Sequence, residues 1–144
     1  VSPFDPAEWA APPGPHVART LGWTVTDHAA GRAAVAWTAG PEHGFPAPDG
    51  TAVVHGGLLA ALLDNAMAAA AWTLTGPDAP FLTADLHVQL LRPARPGPLT
   101  ATGEVVRSGR TTAACSGRLV DGAGVLLAVA SATQVRTTPP GDRG

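Results

Sequence analysis

Asp64 is the only charged side chain in the run from His55 to Leu74, which reads HGGLLAALLDNAMAAAAWTL. Apart from Asn65, its neighbours are apolar or small. A carboxylate in such a stretch must be paired, protonated or put to use, because burying a bare one is expensive. Gly56 and Gly57 open the same run. At a helix start their N–H groups would point outward without intrahelical partners, and glycine lets a ligand approach the backbone. Donors so placed polarise a carbonyl oxygen and hold the charge that develops on it. An acid and a donor site in one short segment point to chemistry on a carbonyl carbon. Two other readings stay open on these residues alone. The glycines suit an ordinary loop-to-helix junction, and the carboxylate could bond across an interface and specify assembly.

The segment that carries these groups must be a helix. Its Ala and Leu content favours one strongly over residues 56–75. Leu59, Leu63, Met67, Ala70 and Leu74 recur at helical spacing and make a packing stripe. Asp64 lies on a different face beside Ala60, Ala61, Ala68 and Ala71, all small, where another element or a ligand could come close. Gly76 and Pro77 are the expected stop. Asp64 lies eight residues beyond Gly56, about 12 Å along the axis at the helical rise per residue. One helix therefore cannot easily bring both groups to one reacting carbon. If both are catalytic, they come from different subunits, with two helices antiparallel across a dimer axis.

The remainder is strand-like. Leu21–Asp27 and Ala33–Thr38 read as two short strands around DHAAGR, and residues 39–50 as a loop with three prolines. Leu82, Ala84, Leu86, Val88 and Leu90 alternate with polar residues and predict a half-buried strand. Leu99–Arg107, Thr111–Val120 and Val125–Arg136 follow with hairpin-type joins, which favour antiparallel pairing. A sheet must curl round a helix of that length to cover it, so the fold class is α+β. The expected organisation is a Pro/Ala-rich arm over 1–18, one domain over 19–137 and a loose tail over 138–144. Phe4 and Trp9 are expected to pin the arm to the body.

Bulk properties narrow the function. The chain has 144 residues, enough for one domain with a real core. Apolar residues make up 45% and charged residues only 14%, which excludes disorder and favours an oligomer that hides surface. A formal net charge of −2 points to no nucleic acid and no polybasic membrane contact. Cys115 stands alone, so no internal disulfide or CxxC metal site is expected, and it reads as a small core residue on a strand. No metal or cofactor pattern occurs: HExxH, HxH, GxGxxG and GxxxxGK[ST] are all missing. No signal peptide or membrane span is expected, and the default location is the cytoplasm.

Several residues outside the helix are candidates. Thr83, on the strand after the helix, could hold an attacking water or orient Asp64. Asp85 and His87 read as structural. His55 fits a ligand pocket, or satisfies backbone groups of its own loop. Arg107, Ser108 and Arg110 cluster at the turn VRSGRTT, and Arg92 and Arg95 at LLRPARPG. Such arginines suit the phosphates of a nucleotide-bearing ligand, or simply solubility.

From about Leu21 to Arg136 the sequence resembles the hotdog-fold acyl-CoA thioesterases of the phenylacetate-pathway type, a family that includes human thioesterase-superfamily member 2. The resemblance rests on V54-H55-G56-G57-L58, on L63-D64-N65, and on L82-T83-A84-D85-L86 leading to L91-R92-P93-A94, with VRSGRT beyond. It implies a curved antiparallel sheet around one long helix, homodimers with shared active sites, and dimers of dimers. It implies that Gly56 N–H binds the thioester carbonyl, that Asp64 of the other subunit acts as base or nucleophile, and that Thr83 helps place the water. His55, Gly57 and Asn65 are then expected at the substrate, and Arg107, Ser108 and Arg110 at the CoA nucleotide. Asp49 stands where the family usually carries Asn or Gln and joins the catalytic candidates. Coenzyme A enters only as part of the substrate.

The expected reaction is hydrolysis of a small or medium acyl-CoA, aryl-acyl included. Leu58, Leu62, Trp72, Phe81 and the arm are expected to shape the acyl pocket. Two alternatives stand beside it: a thioesterase for a carrier-bound acyl group, and an acyl-CoA-binding protein without turnover. A hotdog dehydratase fits less well, because the helix carries Asp64 and no histidine.

Overall fold

A short helix opens the described part of the computed structural model, which covers residues 16–75 and 81–137. This α1 spans Val17–Leu21 and takes up the place where the sequence predicted the first strand to begin. His16 caps it by accepting the Ala18 N–H, and Gly22 closes it at φ 81°, a left-handed conformation that glycine adopts without strain. The chain then extends as β1 (Thr24–Ala29) and β2 (Arg32–Ala39). The predicted proline loop holds a 3-10 turn at Pro41–His43 and two short strands, β3 (Gly44–Pro46) and β4 (Ala52–Val54), paired with each other. Each is only three residues long, too short for periodicity to reveal.

The long helix α2 spans Gly56–Trp72. Four strands follow: β5 (Phe81–Leu90), β6 (Gly97–Ser108), β7 (Thr112–Asp121) and β8 (Leu126–Arg136). The main sheet runs β1-β2-β6-β7-β8-β5, with every neighbouring pair antiparallel. One long helix against this sheet is the hotdog arrangement that the resemblance implied. Most of the expected arm, the 76–77 stop and the tail lie outside the described residues.

Leu59, Leu63, Met67 and Ala70 are buried, as their spacing predicts, and Leu62 is buried with them. Each large side chain so buried stabilises the fold by about 1.5–3 kcal/mol. Leu74 lies past the helix end and is partly exposed. The helix stops sooner than predicted at Thr73, whose hydroxyl donates back to Ala70 O and accepts the Gly31 N–H. Helix and sheet touch at backbone distance: a Cβ on Gly103 would run into the Ala66 carbonyl. Cys115 is buried in this core, and burial pushes its thiol up to about 11.

Strand β5 departs most from its sequence pattern. Thr83 pairs with Gln134 and Asp85 with Thr133, so Ala84 is an extra residue, a β-bulge. Before it, Phe81 and Thr83 face the helix. After it, the phase inverts, and Leu86, Val88 and Leu90 lie opposite the buried Ala132, Ala130 and Ala128. Yet Leu86 and Leu90 are 40% and 52% exposed, because no other described residue covers them. Leu82, predicted to share their face, points the other way. Among the described strands β5 pairs only with β8, which leaves its outer edge open.

Candidate active site

The middle of α2 and the start of β5 bring several of the candidate residues together. Ala61, Asp64, Asn65, Ala68 and Trp72 recur at helical spacing and line one wall of an open cavity of about 380 Å³. Trp23, Phe81, Leu82, Thr83 and Val17 complete it. Of the residues expected to shape an acyl pocket, Trp72 and Phe81 do line this cavity. Leu62 is fully buried in the core instead, and Leu58 packs against that core.

Asp64 is half-buried and is not left bare. Thr83 donates its hydroxyl to Asp64 Oδ1 at 2.6 Å. Gln134, directly across from Thr83 on β8, donates Nε2 to the Thr83 hydroxyl oxygen at 2.9 Å. Gln134 is 0% exposed. Sequence reasoning missed it, although a signal existed. Ala128, Ala130 and Ala132 share its parity along β8, so a lone glutamine continues an inward-facing set. Asn65 is only 7% exposed and borders the same cavity.

Three further candidates, His55, Gly56 and Gly57, lie at the start of α2. His55 is the N-cap and accepts the Gly57 N–H on Nδ1 at 3.0 Å, so it satisfies a backbone donor of its own loop. Gly57 N–H is thereby engaged. Gly56 N–H has no acceptor among the described residues, as the first helical position allows. It borders a second cavity of about 320 Å³, lined by Phe45, Val53, Leu59, Leu90 and Pro93 among others. The two cavities share no lining residue. Within one chain, Asp64 and the Gly56 N–H therefore border separate cavities, in keeping with the rise of α2.

Asp49 lines neither cavity. Its Oδ1 accepts both the Thr51 N–H at 3.0 Å and the Thr51 hydroxyl at 2.6 Å, and its Oδ2 lies 3.9 Å from Arg95. The hydrogen bonds from Thr51, with Arg95 nearby, hold its carboxyl below the usual range, so it is ionised at neutral pH. Arg95 also bonds Thr51. Arg107, Ser108 and Arg110 sit exposed on the β6–β7 hairpin. Pairing places Ser108, Ala113, Gln134 and Thr83 in one row across four strands. The hairpin thus lies at the Asp64 end of the sheet, about 14 Å away at three strand spacings. Arg92 is tied to Leu126 O. Among the described residues no group of three or more His, Cys, Asp or Glu could hold a metal ion, and no helix is long and apolar enough to cross a membrane.

One long helix packed against a multi-stranded antiparallel sheet is the hotdog fold of thioester hydrolases. A family model described as the thioesterase superfamily matches residues 51–128, and the chain belongs to that family. A solved protein of the thioesterase superfamily is 30% identical at a TM-score of 0.78, the match covering 90% of this chain and 97% of that one. A putative thioesterase from Ralstonia eutropha JMP134, described as phenylacetic acid degradation-related, is 29% identical at 0.77, covering 90% and 98%. A thioesterase family protein from Silicibacter pomeroyi is 26% identical at 0.76, covering 90% and 92%. No curated protein matches the chain.

Proposed function

We propose that the protein hydrolyses a small or medium acyl-CoA to the free acid and CoA, at sites shared between two subunits of a homodimer. One observation carries this reading. The Asp64–Thr83 pair opens onto one cavity, while the unpaired Gly56 N–H opens onto another along the same helix. An antiparallel second copy of α2 brings the acid of one chain to the donor of the other. The open edge of β5 and its uncovered leucines offer the surface for that contact.

In this site Gly56 N–H takes the thioester oxygen and stabilises the charge it gains at the transition state. Asp64 Oδ2, free of Thr83, either takes a proton from water or attacks the thioester carbon. Trp72, Phe81 and Trp23 give the acyl group an apolar wall, with room for an aromatic ring. Arg107 and Arg110 lie within reach of the nucleotide phosphates, with Ser108 between them. Asp49 holds the 47–51 turn rather than taking part in bond breaking, since its oxygens are engaged by Thr51 and Arg95.

Thiol release from a panel of acyl-CoAs, run with wild type and Asp64→Asn in parallel, tests the reading. Wild-type turnover that drops at least about a hundredfold in the variant is the expected result. Full turnover by Asp64→Asn would sink it. Comparing kcat/KM on the same acyl group carried by CoA and by a phosphopantetheinyl carrier protein assigns the thiol partner.

A further inference from the structure

We propose that Gln134 is a positioning residue for Asp64, acting through Thr83. The inference rests on the functional reading above and adds to it a residue from a strand that otherwise only supports the sheet. A threonine hydroxyl has one proton and two lone pairs. Its proton goes to Asp64 Oδ1, the closer acceptor at 2.6 Å. Gln134 Oε1 lies farther off, at 3.2 Å, and Gln134 Nε2 at 2.9 Å supplies the donor that the hydroxyl oxygen can accept. A fully buried amide has no water to turn to, so its direction is fixed by this contact. The chain Gln134 → Thr83 → Asp64 thus has one proton direction.

Two chemical consequences follow for the site. Asp64 Oδ1 is held, and Oδ2 is the oxygen left for the reaction. The Thr83 oxygen keeps one open lone pair and no free proton, so a water beside it can only donate to it. A water that donates to Thr83 and to Asp64 Oδ2 turns its own lone pairs toward the thioester carbon. Gln134 touches neither water nor substrate. Its work is to keep the hydroxyl from rotating its proton away from Asp64.

The test uses Gln134→Leu and Gln134→Met, which each remove the donor at similar size. Each is assayed alone and in a Thr83→Val background. The expected result is a kcat about fivefold to tenfold lower with KM unchanged, and no further loss once Thr83 is gone. A residue with only a structural role would lower the folded fraction equally in both backgrounds and leave kcat per folded site intact. Wild-type kcat in both variants, or a loss that persists with Thr83→Val, would overturn the proposal while Asp64→Asn still reports on the overall reaction. If no thioester is hydrolysed by wild type, the functional reading has failed, and denaturant unfolding decides the relay. Gln134→Leu and Asp64→Ala should then be non-additive with Thr83 present and additive without it. Additivity in both backgrounds would refute it.

Discussion

Two aspartates of this chain show how surroundings assign a carboxylate its work. Asp64 keeps one oxygen without a described donor, on a cavity wall. Asp49 spends its oxygens on Thr51 and Arg95 within its own turn. The depressed carboxyl of Asp49 contributes stability that is present above its ordinary value and is lost as pH falls through the lowered one. Asp49→Asn retains an acceptor for the Thr51 N–H and loses only an exposed charge. Its kcat/KM should stay within about threefold of wild type, since exposed ion pairs are worth little. A hundredfold loss in the same assay would return Asp49 to the chemistry. At this scale the sequence was informative where a residue clashed with its neighbours. Asp64 stood out in an apolar run, and Gly56 at the mouth of a helix. Gln134 did not, because Ser131 and Thr133 beside it make a polar residue look ordinary, and only the cross-strand pairing with Thr83 shows its use.

Each element owes its position to residues at its contacts more than to its own propensity. The height of α2 over the sheet is set by Gly103, where helix backbone meets strand backbone. Gly103→Ala must push the helix off β6 by the width of a methyl group. The expected cost is about 1–3 kcal/mol in denaturant unfolding, with thioesterase activity falling further because Asp64 rides on the same helix. An unchanged midpoint would show that the contact gives way freely. The existence and type of every long element were legible from periodicity. The ends were less so: α2 stops at Trp72 because Thr73 turns its hydroxyl back on the helix, a contact that composition does not reveal. The bulge at Ala84 was illegible too, since the leucine alternation runs through it unbroken and only the register with β8 exposes it.

On the scale of the whole molecule, the low charge and the uncovered leucines of β5 both support the proposed second copy. Subunit complementation probes this directly. Gly56→Pro removes the N–H at a position where helices accept proline. His55 before it already has ψ 127°, and the obstacle is the end of the Leu90 side chain, 2.6 Å from an added Cβ. Asp64→Asn and Gly56→Pro should each be inactive alone. Co-expressed in equal amounts, they should recover about a quarter of wild-type activity, because half the dimers are mixed and each holds one intact site. No recovery, with mixed dimers verified, would place acid and donor in the same chain. The extra residue in β5 bears on both the site and the partner face. A strand has something like a reading frame of two. With Ala84 set aside as a bulge, the frame presents Thr83 to Asp64 and keeps Leu86 and Leu90 on the same face, where they are exposed. A strictly regular strand that kept Ala84 in line would force a choice: hold Thr83 inward and turn Asp85, His87 and Gln89 to that face, or hold the leucines there and lose the hydroxyl. Thr83 and the leucines share one face because the strand holds a single residue outside its alternation.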